Sequence, residues 1–231
     1  MPFHPGADAA VIVPAAGQGT RMGGETPKQY LDLGGAPVLV QTLRALAAHP
    51  HVGAAVLAVS PVAVAEANAV LRAAPLGLPV YAVPGGASRR ASVEAALAAL
   101  PPEAAVVLIH DAVRPFVPLR LLDDVIAAAR TFGAAVPAVP VADTLRRADG
   151  RTFGATVDRD GLYAVQTPQG FQRDLLERAY AEVPDDTTDD AALVAALGHA
   201  VRLVPGDRRN LKLTTPDDLA LARALWPSWT P

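Results

Sequence analysis

The stretch Val11-Ile-Val-Pro-Ala-Ala-Gly17-Gln-Gly19-Thr-Arg21-Met-Gly-Gly-Glu-Thr-Pro-Lys28-Gln29 sets a short apolar run against a glycine-rich turn that carries two cations. A turn of this composition can present its backbone N–H groups to an anion, and Arg21 and Lys28 can close over it. Lys28 is conspicuous because this chain uses eighteen arginines and only one other lysine, Lys212. A buried strand, a glycine turn and a following helix form the opening unit of an α/β sheet, so the pattern on either side decides the fold.

Outward from that turn, short β-type runs alternate with helical stretches. The pattern predicts strands over 10–14, 54–59, 80–83, 105–110 and 134–139, with helices over 38–49, 62–73, 88–100 and 118–132. The strands are apolar almost throughout, as expected where helices cover both faces of a sheet. The last third differs. Segments 144–148 and 152–157 flank Asp149-Gly150, a strong hairpin signal, but Arg146, Arg147 and Arg151 suit that hairpin poorly to a core. It is expected to project from the sheet. A strand over 162–166, helices over 173–182 and 189–197 and a strand over 200–204 follow. A final helix opens at Thr215-Pro216-Asp217-Asp218, with a capping hydroxyl, a proline suited to the first turn and acids at the positive end of the dipole.

Composition narrows the function. A chain of 231 residues with 51% hydrophobic and 19% charged residues suits one globular domain with a sizeable core. A net charge of −3 supplies no global field for nucleic acid, although local cationic pockets for small anions remain open to it. The absence of cysteine excludes disulfides, thiolate-bound zinc and thiol catalysis. No basic stretch followed by an apolar run opens the chain, and no run of eighteen apolar residues occurs, so a cytoplasmic protein without a membrane span is expected.

The glycine turn fits neither of two common phosphate motifs. The Gly-x-x-x-x-Gly-Lys-Ser/Thr loop is absent, and a dinucleotide fingerprint starting at Gly17 would need glycine where Met22 stands. No acidic residue ends the next strand, at Val59-Ser60, to hold a ribose. Gly17 and Gly19 also fit a tight turn in which glycine serves geometry alone. The two cations tip the reading toward an anion.

Ala15-Ala16-Gly17-x-Gly19-x-Arg21-Met22 followed by Pro27-Lys28-Gln29-Tyr30 resembles the signature of the 2-C-methyl-D-erythritol 4-phosphate cytidylyltransferases. Further blocks keep the family's order to about residue 225. They are Gly85-Gly86-x-x-Arg89-x-x-Ser92-Val93, His110-Asp111-Ala112-Val113-Arg114-Pro115, Asp143-Thr144, Arg159, Gln166-Thr167-Pro168-Gln169, Thr188-Asp189 and Asn210-Leu211-Lys212. The resemblance and the periodicity together imply an α/β fold, a Rossmann-like open and mainly parallel sheet with helices on both faces and a projecting β-hairpin arm. One domain over 1–231 is expected, with the arm at about 141–161.

The implied reaction joins CTP to methylerythritol 4-phosphate and releases pyrophosphate. The resemblance gives Arg21 and Lys28 the neutralisation of charge on the α-phosphate. It gives Ala15, Ala16, Gly17, Gly19, Gly85, Gly86 and Ser92 the binding of CTP. Arg114, Thr144, Arg159, Thr167, Thr188 and Lys212 would hold the acceptor, with Arg159 and Lys212 aiming its phosphate. Asp111, at the carboxyl end of the 105–110 strand, would hold Mg²⁺, although a cap or a pairing with Arg114 also suits it. His110 has no evident partner and reads as structural. In the family the arm embraces a second subunit, so a homodimer in which Thr144 and Arg114 serve the neighbour's site is implied. The ribitol-5-phosphate cytidylyltransferases share this chemistry and most of these motifs. A silent nucleotide-binding relative would be expected to have lost some of Arg21, Lys28, Asp111, Arg159 and Lys212. Two departures stand out: Ala87 and Arg209 occupy positions where relatives often carry an acid, and Asp207 is the nearest carboxylate that could replace the second.

Overall fold

A computed structural model describes residues 2–17, 26–184 and 189–230. Strand β1 (Ala9–Pro14) comes first, and a single 3-10 turn stands at Lys28–Tyr30. A small ribbon, β2 (Asp32–Leu33) and β3 (Ala36–Pro37), precedes α1 (Val38–Ala47). Then come β4 (Val52–Val59), α2 (Val64–Ala73), β5 (Val80–Pro84), α3 (Arg89–Ala98), β6 (Val106–Ile109), α4 (Leu119–Phe132) and β7 (Ala134–Pro140). The hairpin β8 (Leu145–Asp149) and β9 (Thr152–Val157) is followed by β10 (Tyr163–Val165), β11 (Gln169–Gln172), α5 (Arg173–Glu182), α6 (Asp190–Ala196), β12 (Arg202–Pro205) and α7 (Pro216–Leu225).

Eight strands form one sheet. β6, β1, β4 and β5 lie side by side and parallel, β11 joins β6 to β7 antiparallel to both, β10 pairs with β7, and β12 runs parallel to β7. Alternation along β1 sorts its side chains onto two cores. Val11 and Val13 face Leu39, Leu43, Leu122 and Ile126 of α1 and α4, and Ala10 and Ile12 face Val93, Leu97, Leu176 and Val194 of α3, α5 and α6. A third cluster, built on Leu33, Phe116, Leu213 and Leu219 with Trp226 and Trp229 against it, seats α7 over the ribbon. The expected open, mainly parallel α/β sheet with helices on both faces is present.

Two local expectations are realised in detail. Thr215 and Asp218 form a reciprocal capping box at the start of α7. The hairpin turns at Gly150, whose φ of +56° is the left-handed conformation that glycine tolerates. Among the described residues its strands pair only with each other, as a two-stranded sheet separate from the main one.

Strand β11 is absent from the expected strands, because its sequence, Gln-Gly-Phe-Gln, offers one apolar residue and a glycine. Phe171 is fully buried, and a Cβ on Gly170 would come within 2.7 Å of Val125 Cγ1 and 3.2 Å of Ala129 Cβ. The glycine lets α4 lie directly on the sheet, so packing rather than propensity makes this strand. The ribbon β2–β3 is likewise too short to announce itself in the sequence.

Candidate active site

A cleft of about 630 Å³ opens at the carboxyl ends of β1 and β6, where an open α/β sheet places its ligand. Its wall includes residues 14–17 after β1, Lys28 and Gln29, residues 86–89 and Ser92 at the start of α3, residues 111–114 after β6, and Lys212. Lys28, Arg89, Arg114 and Lys212 line it together with Asp111 and Asp189, a cationic excess in a chain of net charge −3. A concave cationic site of this kind favours a polyanion.

Asp111 is the electrostatic centre. Its Oδ2 accepts from Arg114 Nε at 3.0 Å and pairs with Lys212 Nζ at 3.1 Å. Burial pushes its carboxyl up, but Lys212 and Arg114 outweigh burial and hold it down at about 2. A carboxylate this acidic is a poor proton acceptor at neutral pH and a ready ligand for a hard cation. Arg114 is itself 8% exposed and also donates to the carbonyl of Asn210 at 2.8 Å. The sequence pairing of Asp111 with Arg114 is thus realised together with the Lys212 contact, and Arg114 lies in this chain's own cleft.

His110 has the partners its sequence context concealed. Its Nε2 lies 3.1 Å from the Arg114 carbonyl and its Nδ1 lies 3.2 Å from Thr167 Oγ1. Burial, outweighing favourable contacts, drops its pKa to about 4, so the ring is neutral at pH 7. A carbonyl only accepts, so Nε2 carries the proton and the Thr167 hydroxyl donates to Nδ1. Thr167 Oγ1 in turn accepts from the Asp111 amide at 3.0 Å. The chain from Arg114 through His110 and Thr167 therefore fixes the backbone that presents Asp111. Thr167 lines the cleft, as an acceptor-binding residue must, while its hydroxyl is engaged in this chain.

On the opposite wall, Gln29 is 5% exposed and donates to the carbonyls of Ala15 at 3.2 Å and Gly17 at 3.4 Å. It anchors the Lys28 turn to the end of β1. Gln29 belongs to the sequence motif but drew no role there; its place directly after the motif lysine is the signal the sequence offered. Gly86 and Ser92 line the cleft, whereas Gly85 packs behind it, with its amide on the Val59 carbonyl at 2.7 Å. Ser92 is 1% exposed and its hydroxyl donates to the Ser88 carbonyl at 2.9 Å, so it braces the first turn of α3.

Among the described residues, two sequence candidates, Thr144 and Arg159, are not part of this cleft wall. Gly19, Arg21 and Thr188 lie outside the described residues. Thr144 and Arg159 are exposed on the arm, where Arg159 donates to the Ala142 carbonyl. Asp207 does not replace the missing acid: it pairs with Arg209 at 2.7 Å, its amide donates to Gln166 Oε1 at 3.1 Å, and it is not part of the cleft wall. Among the described residues no three His, Cys, Asp or Glu side chains gather as a ready metal cage. No helix among them is long and apolar enough to cross a membrane.

Residues 9–227 match the family described as 2-C-methyl-D-erythritol 4-phosphate cytidylyltransferase, IspD. A protein of that name from Salinibacter ruber is 52% identical over 223 residues, covering 95% of this chain and 93% of the relative. One from Deinococcus radiodurans is 48% identical over 219 residues, covering 94% and 88%. The crystal structure of the enzyme of the same name from Thermus thermophilus superimposes with a TM-score of 0.80 at 39% identity, covering 94% of this chain and 98% of that one.

Proposed function

We propose the reaction of this chain from one premise: it belongs to the 2-C-methyl-D-erythritol 4-phosphate cytidylyltransferase family. It is a nucleotidyltransferase that moves CMP from CTP to 2-C-methyl-D-erythritol 4-phosphate, giving 4-diphosphocytidyl-2-C-methyl-D-erythritol and pyrophosphate. The observation that carries the reading is Asp111 held between Lys212 and Arg114 in the same cleft as Lys28 and the Ala15–Gly17 backbone.

An oxygen of the acceptor phosphate attacks the α-phosphorus of CTP in line. The new O–P bond forms as the bond from the α-phosphorus to the bridging oxygen of pyrophosphate breaks. The attacking oxygen is already anionic, so no proton must be removed, which agrees with a cleft whose central carboxylate titrates near 2 and whose histidine is neutral and fully engaged. The barrier lies in bringing negative charges together, and fixed cations lower it. Lys28, on the same cleft as Gly17, neutralises charge on the α-phosphate, the role that the family motif gives Arg21 as well. The backbone of Ala15, Ala16, Gly17 and Gly86 binds the nucleotide beside Ser92, with Gly85 shaping the loop behind it. Lys212 and Arg114 hold the acceptor phosphate.

A magnesium ion fits this donor set. Mg²⁺ in nucleotide enzymes needs only one or two carboxylates, with water and phosphate oxygens completing its shell. Asp111 supplies one such carboxylate, fully ionised, with both cations on Oδ2. The ion would act as a Lewis acid and template for the triphosphate.

We also propose that the arm embraces a second copy, bringing Thr144 and Arg159 to a shared acceptor site. A two-stranded hairpin is marginal alone, and Phe153 on it is 76% exposed, with Tyr163 and Val165 exposed on β10 beyond it. Pyrophosphate release from CTP with methylerythritol 4-phosphate, measured beside ribitol 5-phosphate, tests the reaction. A preference for ribitol 5-phosphate, or CTP binding without turnover, would overturn it. Light scattering of the whole chain and of a form with residues 146–155 replaced by a short turn tests the dimer; a monomeric whole chain with full activity refutes it.

A further inference from the structure

Asp190, the first residue of α6, is 1% exposed and saturated with donors. Its Oδ1 accepts from Arg89 at 2.9 Å and from the Tyr180 hydroxyl at 2.5 Å, and its Oδ2 accepts the second arm of the same guanidinium at 2.5 Å. Arg90, next along α3, donates to the Tyr180 carbonyl and lies over the Tyr180 ring, 5.1 Å from its centroid. The phenol stays protonated, because burial and the neighbouring carboxylate both raise its pKa. Two consecutive arginines at the start of α3 are thereby fastened to α5 and α6.

A buried ion pair adds little net stability over an apolar replacement, since desolvation offsets the attraction; what it fixes firmly is geometry. Here the geometry is that of the nucleotide wall. The Gly85–Gly86 loop lies against the first turns of α3 so closely that a Cβ on Gly85 would come within 2.8 Å of Ser92 Oγ, and one on Gly86 would overlap Ala91. Ser88 caps this helix through the Ala91 amide at 3.1 Å, and Ser92 returns to the Ser88 carbonyl. Any displacement of the α3 N-terminus therefore carries the loop with it. On the far side, Gln169 at the start of β11 donates to Asp189 Oδ1 at 3.3 Å and accepts from the Ala191 amide at 3.1 Å, tying α6 to the sheet.

We infer that Asp190, acting through Arg89 and supported by Tyr180, is a positioning residue that holds the Gly85–Ser92 segment at the spacing needed to tell cytosine from uracil. The inference rests on the reading of that segment as the base-binding wall. Backbone readout of a pyrimidine edge depends on hydrogen-bond distances that a shift of a few tenths of an ångström spoils.

Calorimetric titration with CTP and with UTP, alongside kcat and KM for each nucleotide, tests it. Arg89→Lys keeps the charge but loses the fork, Asp190→Asn loses the charge, and Tyr180→Phe removes one donor. Arg89→Lys and Asp190→Asn are expected to lose at least tenfold in preference for CTP over UTP, with the change in KM for CTP rather than in kcat. Tyr180→Phe should lose less, and the variant combining Arg89→Lys with Asp190→Asn no more than the larger of those two singles. If Asp190→Asn does not fold, the other two carry the test. Variants that keep the full preference while their melting temperature drops refute the clamp alone. A wild-type enzyme that binds CTP and UTP equally refutes the base-wall reading and the clamp with it.

Discussion

Acidification from pH 6.5 to 4 is expected to weaken this fold through one side chain, His110. Its ring is fully buried, and burial holds its pKa at about 4 against an ordinary value of 6.5. The unfolded chain takes up the proton below pH 6.5, whereas the native chain resists until about pH 4. The unfolded state therefore binds more protons across that window, and native stability falls as the pH falls through it. A displacement of this size corresponds to as much as about 3 kcal/mol, level above pH 6.5 and fully expressed near pH 4. Asp111 adds a separate window with its own sign: its carboxyl is depressed to about 2, so its contribution is intact above about pH 4 and disappears as the pH approaches 2. Urea unfolding at intervals between pH 7.5 and 4 would measure the slope in the wild type and in His110→Gln, whose amide can donate to the Arg114 carbonyl without titrating. The variant should lack most of the decline. Nitrogen-15 NMR of the imidazole should find the neutral form with the proton on Nε2 at pH 6. Parallel stability curves for the two proteins, or a charged ring at pH 6, would refute the reasoning.

Three further outcomes are expected. Lys28→Ala should lower kcat by roughly 10²–10³-fold, about 3–4 kcal/mol of transition-state stabilisation, with a much smaller change in CTP affinity by titration calorimetry; equal losses in both would contradict its placement at the α-phosphate. Asp111→Asn should reduce turnover by at least about a hundredfold and flatten its dependence on divalent cation, as steady-state kinetics across a magnesium series would record. Gly170→Ala should destabilise the protein by about 1–3 kcal/mol in urea unfolding, because its Cβ would press on Val125 and Ala129 of α4, while KM for CTP is preserved.

The sequence by itself determined the alternation of strands and helices, the projecting hairpin and the family, because each rests on local signals. Alternation of apolar residues, the Asp149-Gly150 turn, the Thr215 cap and the ordered motif blocks are all written in neighbouring residues. Lys28, Asp111, Arg114, Thr167 and Lys212 were legible as site candidates for the same reason, and the fold gathers all five on one cleft. Tertiary structure decided what each one touches. Asp111 and Lys212 stand far apart in the chain, yet Nζ lies 3.1 Å from Oδ2 because α7 and the segment before it fold back over the end of β6. Strand β11 exists because α4 packs on Gly170, and His110 gained its role only when β11 brought Thr167 to its ring. The Arg89–Asp190 pair spans a similar distance and lies outside any local pattern. Long-range burial selects such partners, since a charge or ring nitrogen withdrawn from water must find its complement among whatever the fold places beside it.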